Sequence, residues 1–286
     1  MAPGAIDRST GTDPRAAEPS GRLPVLGPSA PSAGLAPRPP RAPPRPVEVG
    51  RGVVLFDLDG TLLDDLPLIA DVAADVMHQA FGTEAEEARI HYLATTGMPF
   101  EAQLSQLYPS APTEVRAGAA RTFHQRKVTE AYAQARPFPE VPRVLNTLHR
   151  ERWTLVVATG SETEMADLLL ERVGLRYWFE EVFGSGDGTK REHLVEYRRR
   201  YPEAPMCLVG DSRFDMEAAL SAPGVTPVAR ASRFPGWTLT PRDLRKWGAA
   251  WAAYDLSGLP AALGRLLTPP RRTTSGRGKR ASRRRA

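Results

Sequence analysis

The sequence predicts an α/β protein: a doubly wound parallel sheet with an all-helical cap inserted behind its first strand. Three observations carry that expectation. Short apolar runs rich in β-branched residues (53–56, 154–158, 205–209 and 225–229) alternate with stretches of helical periodicity, the pattern of a parallel sheet built from βα units. Between the first two runs, residues 62–139 show helical spacing and no strand pattern. Three of the runs give way abruptly to polar groups, Asp57, Thr159 and Asp211, and the carboxyl edge of an open parallel sheet is where ligands bind.

Each element has its own signal. Val53-Val54-Leu55-Phe56 reads as a buried strand, and Gly60 permits the sharp turn after it. Leu66-Pro67 opens a helix with proline in its first turn. Ile69, Val72, Ala73, Val76, Met77 and Ala80 then recur at helical spacing until Phe81-Gly82. Further helices are expected over 84–94, through Gln103, Leu104 and Leu107, and over 113–135. Pro137-Phe138-Pro139 leads back to the main domain. There the pattern predicts a helix over 141–150, a strand over 154–158, a helix over 162–173 closed by Gly174, and a short strand ending at Phe183. A Gly-rich loop, 184–189, precedes a helix over 190–201, a strand over 205–209, a helix over 216–221 and a final strand over 225–229. Trp237, Trp247 and Trp251 are expected to pack on the core, the last two on one helix face because they stand four apart. The resulting organisation is a leader (1–46), an α/β core (47–64 and 137–268), a helical cap (65–136) and a tail (269–286).

The leader holds twelve of the 28 prolines and no periodicity, so it is read as disordered, with 37–46 favouring polyproline II. The tail carries eight Lys/Arg and no acid. Residues 1–50 add a net +2, which leaves the segment between them at −5 although the whole chain is +5. A nucleic-acid reading therefore rests on the tail alone, as weak, salt-sensitive, sequence-blind contact through residues 271–285. One cysteine, Cys207, excludes an internal disulfide and suits a reducing, cytoplasmic setting. No apolar run approaches a membrane span, and the N-terminus lacks the apolar core of a secretion signal.

Asp57 and Asp59, two residues apart at a strand's end, leave the core together and repel unless a proton or a cation lies between them. Mg2+ fits, because it takes one or two carboxylates and keeps waters and phosphate oxygens. A Ca2+ loop of the EF-hand kind fails, because the glycine comes too early. Taken singly, D-x-D-G also fits a solvated turn, Thr159 a turn residue, Lys190 a solvated charge, and Asp211 and Asp215 a helix cap and a surface acid. Together they all follow strands or open helices, and so can face one edge of the sheet.

Phe56-Asp57-Leu58-Asp59-Gly60-Thr61-Leu62 resembles the first motif of the haloacid dehalogenase-like (HAD) hydrolase superfamily. Val156-Val157-Ala158-Thr159-Gly160 resembles the second motif, Lys190 the third, and Val209-Gly210-Asp211-Ser212-Arg213-Phe214-Asp215 the fourth, in order across residues 51–230. Arg191 stands where many relatives have proline, which leaves it a rival to Lys190. The helical insert resembles the C1-type cap of the phosphoglycolate phosphatase and β-phosphoglucomutase-like branch, and Thr96-Gly97-Met98-Pro99 resembles that branch's loop reaching into the site.

The resemblance implies a Rossmann-like core and a Mg2+-dependent phosphatase acting on a small phosphorylated metabolite. It implies Asp57 as nucleophile and Asp59 as general acid and base. Mg2+ would be held by Asp57, the Asp59 backbone carbonyl and Asp211, with Asp215 as a further ligand or a support. The Thr159 hydroxyl and the Lys190 ammonium would bind phosphoryl oxygens, joined by backbone N–H groups near Gly60 and Gly160. Asp64 shapes the turn after the first strand. A phosphomutase shares these motifs. A metal-free dehalogenase is opposed by Asp59 and Asp211, and a phosphonate hydrolase wants a cap lysine, of which 62–139 offers only Lys127. The Gly-rich loop matches neither nucleotide fingerprint, and the scattered histidines form no zinc pattern. A different class is a binding protein tethered to acidic partners by the basic tail.

Overall fold

The structure, a computed structural model, describes residues 50–267. The expectations for the leader and the tail, including polyproline II at 37–46, lie outside the described residues. β1 (Gly52–Phe56) is buried along its whole length, as a central parallel strand must be. Four helices follow it: α1 (Leu66–Phe81), α2 (Ala85–Ala94), α3 (Phe100–Leu107) and α4 (Thr113–Arg126). α1 stops where Gly82 turns left-handed at φ 72°, as the Phe81-Gly82 signal predicts. The helix expected over 113–135 is not uniform, because after α4 the chain widens into a π-helical segment, Lys127–Tyr132. Phe100 and Phe123 stack at 4.0 Å between α3 and α4, and Tyr92 from α2 leans on both. The two connections to the core are tied to each other: Asp64 N–H donates to Arg136 O at 2.8 Å and Phe138 N–H to Leu62 O at 3.1 Å.

The core continues with α5 (Val141–Arg150), β2 (Trp153–Ala158), α6 (Thr163–Arg172), β3 (Glu181–Phe183), α7 (Lys190–Arg200), β4 (Met206–Gly210), α8 (Arg213–Ser221) and β5 (Val225–Arg230). A short antiparallel pair, β6 (Ser232–Phe234) and β7 (Trp237–Leu239), precedes α9 (Pro241–Lys246), β8 (Trp251–Ala253) and α10 (Leu259–Leu266). The main sheet is parallel throughout, in the order β3-β2-β1-β4-β5-β8. Successive residues of β1 point to opposite faces. Val54 and Phe56 pack with α5 residues Leu145 and Leu148, while Val53 and Leu55 pack with Leu194 and Tyr197 of α7 and Ala219 of α8. Helices thus cover both faces, as the predicted doubly wound class requires.

Two expectations fail at the C-terminal end. β5 is not the final strand, since β8 pairs beside it through Val228 with Trp251 and Ala229 with Ala252. Trp247 and Trp251 do not share a helix: Trp247 closes α9 and Trp251 opens β8. The left-handed Gly248, φ 102°, breaks the helical path between them. Trp237 and Trp251 nonetheless pack on the main core, as expected. Among the described residues no helix is long and apolar enough to cross a membrane.

Candidate active site

The carboxyl ends of β1, β2 and β4 deliver Asp57, Thr159 and Asp211 to one place, and the first turns of α7 and α8 add Lys190 and Asp215. Asp57 N–H continues the ladder to Val209 O at 2.8 Å, so the side chain leaves the sheet at a fixed point. Lys190 Nζ sits 2.7 Å from Asp57 Oδ1 and 2.5 Å from Asp215 Oδ1, all three groups being buried or nearly so. Arg191 is exposed, so Lys190 is the cation the fold brings to this point. Asp215 is fully buried and serves twice: its Oδ2 accepts from Ser212 N–H and Oγ in a capping box at the start of α8.

Asp57, Asp211 and Asp215 each offer a carboxylate oxygen, and the three atoms lie within 4.8 Å of one another. Burial pushes the Asp57 carboxyl up to about 7; Lys190 opposes this, while Asp215 and Asp59 add to it. Burial, then the charges of Asp57 and Asp215, push Asp211 well above the usual carboxylate range. Burial works against the Lys190 ammonium, but Asp215 and Asp57 outweigh it and hold the proton. Three buried carboxylates thus face one ammonium. A hard divalent cation fits that surplus of negative oxygen.

Gly60 is required in the turn. Its φ is +74°, and a Cβ there would stand 2.5 Å from Asp211 Oδ2. Its N–H is donated inward, to Leu63 O at 3.0 Å and Asp65 Oδ1 at 3.1 Å, which withdraws it from a phosphate cradle. Gly160 is exposed with open space around it, and Thr159 Oγ1 accepts the Ser161 N–H at 3.2 Å. The loop around Gly97 does reach the core: a Cβ on Gly97 would stand 2.4 Å from Ser212 Oγ, beside Phe214.

Asp59 turns away from the acidic cluster and toward the helical insert. Its Oδ2 accepts from Lys127 Nζ at 2.6 Å, Tyr132 OH at 3.1 Å and Ser161 Oγ at 3.1 Å. Asp65 lies behind it, fully buried; burial and then the charge of Asp59 push its carboxyl well up. Sequence reasoning gave no site role to Tyr132, Ser161 or Asp65, and named Lys127 only as the lone cap lysine of a rival phosphonate-hydrolase reading. Ser161 follows Thr159-Gly160 directly, and Asp65 ends the first motif's run of acids, so position along the chain was the available signal. Tyr132 had none, because it reaches the site only through the π-helical register.

A parallel α/β core, a helical insert behind its first strand and a buried cluster of carboxylates with one lysine define a capped α/β protein with an acidic centre at its sheet edge. The chain belongs to the haloacid dehalogenase-like hydrolase family, whose family model matches residues 54–229. It is 31% identical over 183 residues to the phosphoglycolate phosphatase of Vibrio cholerae, covering 59% of this chain and 80% of that one. It is 30% identical over 203 residues to the phosphoglycolate phosphatase of Salmonella typhimurium, covering 60% of this chain and 78% of the other. A hydrolase from Pseudomonas syringae superposes with a TM-score of 0.64 at 20% identity, over 76% of this chain and all of the other. A haloacid dehalogenase-like hydrolase from Streptococcus pneumoniae gives 0.60 at 19% identity, over 75% and 99%. At those identities the two structures speak for the fold.

Proposed function

We propose that this enzyme is a Mg2+-dependent phosphatase that hydrolyses a small phosphomonoester through an aspartyl-phosphate on Asp57. The observation that carries the reading is the division of labour between two carboxylates in one loop. Asp57 faces Lys190 and the acidic cluster, and Asp59 faces the cap. Asp57 Oδ attacks phosphorus, and the ester oxygen departs with a proton from Asp59. Water then attacks the acyl phosphate, gives its proton to Asp59, and inorganic phosphate leaves. Lys190 and the Thr159 hydroxyl are assigned to the phosphoryl oxygens, where an ammonium stabilises developing charge. Asp57, Asp211, the Asp59 carbonyl and, as a member of the same cluster, Asp215 would hold Mg2+. When bound, the ion supplies charge neutralisation between nucleophile and phosphate.

The helical lid favours a small substrate and the exclusion of bulk water. The phosphoglycolate phosphatases among the relatives point to the same size class. A C–P-cleaving hydrolase that uses a cap lysine as an amine nucleophile is disfavoured on a new ground. Lys127 does reach the site, but although its burial opposes the charge, Asp59 holds its pKa above the ordinary lysine value. Hydrolysis of p-nitrophenyl phosphate with Mg2+ and with EDTA, for wild type and Asp57→Asn, tests the proposal. Turnover in Mg2+ that falls at least about 1,000-fold in the variant is expected. Equal rates in both proteins would remove Asp57 as nucleophile.

A further inference from the structure

Beside the two connections between core and insert lies a cavity of about 300 Å3. Leu66 and Pro67 of α1, Phe138 of the second connection and Phe234 of β6 give it apolar walls. Its polar groups come from the end of β5, from β6 and from the residue after β8: Arg230, Ser232, Arg233 and Tyr254. All four lie beyond residue 229, where the family match ends. Asp57, Thr159, Lys190 and Asp211 take no part in the lining, but Gly60 does, so the cavity backs onto the turn that carries Asp57 and Asp59. Arg230 is buried, with its guanidinium against the Phe138 ring and one Nη donating to Glu140, which balances its charge. Arg233 has no such balance. Its Nη2 donates to the neutral Tyr254 hydroxyl at 3.0 Å, and it forms no ion pair among the described residues. Ser232 Oγ is buried and has no hydrogen-bond partner among the described residues. The remaining charge on the lining is Asp64, which is exposed and so screened by solvent.

A guanidinium with free donors receives a planar carboxylate through paired N–H bonds. A buried hydroxyl left unmet is costly, and a ligand oxygen that bonds it removes the cost. Four apolar walls around those groups take hydrocarbon, and the volume holds about ten water-sized groups, the size of an acid with one ring. We propose that this cavity is a second ligand site, separate from the acidic centre, for a small carboxylic acid with an apolar body. The carboxylate meets Arg233 and Ser232, and the hydrocarbon lies among Pro67, Phe138 and Phe234. Such an occupant touches both connections to the insert and β6 at once. The β6–β7 pair in turn holds the insert: Arg89 of α2 donates to Pro235 O at 3.3 Å and lies over the Phe234 ring at 5.5 Å. Occupancy therefore fixes the insert on the core, because a ligand that contacts both parts in one arrangement favours that arrangement.

The test titrates the whole chain by NMR with three probes. Phenylacetate carries both features, phenylacetamide removes the charge at the same size, and acetate removes the ring. Phenylacetate is expected to bind at least about tenfold tighter than either of the others. Arg233→Met brings it down to the level of the amide, Arg233→Lys keeps part of the preference, and Ser232→Ala weakens binding by about threefold. The amide signals of Leu66, Ser232 and Phe234 shift, while those of Asp57, Lys190 and Asp211 stay in place. Hydrogen exchange over 64–67 and 136–138 slows when the site is saturated. No binding of phenylacetate up to about 20 mM overturns the site. Equal binding of the acid and its amide, an affinity that survives Arg233→Met, or shifts centred on Asp57 and Lys190 overturn it as well. So does displacement by inorganic phosphate at matched concentration, which would make the cavity an extension of a phosphoryl site. Unchanged exchange at saturation overturns the coupling to the insert. Every readout is one of binding, so each holds whether or not the phosphatase reading stands.

Discussion

At the scale of single residues, two positions carry consequences that stability and activity measurements can read. Gly60→Ala places a methyl against Asp211 Oδ2 in a left-handed turn. It is expected to cost about 1–3 kcal/mol in denaturant melts and to weaken Mg2+ binding with it. Unchanged Mg2+ affinity would mean the loop relaxes without moving Asp211. Asp57 gives a pH signature. Its folded pKa is raised to about 7, chiefly by burial, so the folded state binds the proton more tightly than the unfolded chain does. Between the unfolded value of about 4 and the folded value, rising pH therefore removes stability. In EDTA, the thermal midpoint of Asp57→Asn should gain on that of wild type from pH 5 to pH 8, and Mg2+ should narrow the gap. A difference that stays flat with pH would show that the Asp57 proton is held no more tightly in the folded protein than in the unfolded chain. Taken alone, the D-x-D-G also fits a solvated turn, and it was the in-order company of Thr159, Lys190 and Asp211 that pointed these residues to one edge of the sheet. Lys190 was legible as one of two candidates, and its burial against Asp57 and Asp215 separates it from exposed Arg191.

At the scale of elements, legibility followed the strength of the local pattern. β1, β2 and β4 are apolar runs with clean ends, and α1 has both proline at its start and glycine at its stop. β8 is three residues long, and its Trp251 and Ala252 carry no alternation. Its identity as a strand comes from pairing with β5, a tertiary fact. The π segment was invisible for a related reason: a helical pattern predicts which residues are helical and says nothing of a local change in pitch. α8 is a case where local and functional demands coincide. Ser212 caps it in a reciprocal box with Asp215, and the same Asp215 carboxyl takes the Lys190 ammonium. Ser212→Ala is expected to cost about 1 kcal/mol from the cap alone, and to lower activity by freeing the Asp215 rotamer. A stability loss with unchanged kcat/KM would confine Ser212 to capping.

At the scale of the whole molecule, the insert and the core meet at Asp59 and Ser161 and are joined by two short connections hydrogen-bonded to each other. The contacts between insert and core include Gly97 against Ser212 and a cluster in which Lys127 and Tyr132 both bond Asp59 and Ser161. The Lys127–Asp59 ion pair is the one whose disruption by loss of one partner is costly, because both side chains are largely buried, at 12% and 17% exposure. Removing one charge leaves the other in a poor solvent. Asp59→Asn strands the Lys127 ammonium under the cap, and the inexpensive relief is for the cap to lift and let water reach it. Two outcomes follow together. On the proposed mechanism, turnover of an alkyl phosphate is lost, since no carboxyl would remain at this position to protonate the leaving oxygen. Amide hydrogen exchange rises over residues 127–132 and around Gly97, while β1, β2 and β4 keep their protection. Lost turnover with unchanged exchange at those cap positions would separate the acid from the latch, leaving Asp59 with its chemical role alone. Exchange that rises equally in the strands would mean that the pair stabilises the fold as a whole rather than the closure of its lid.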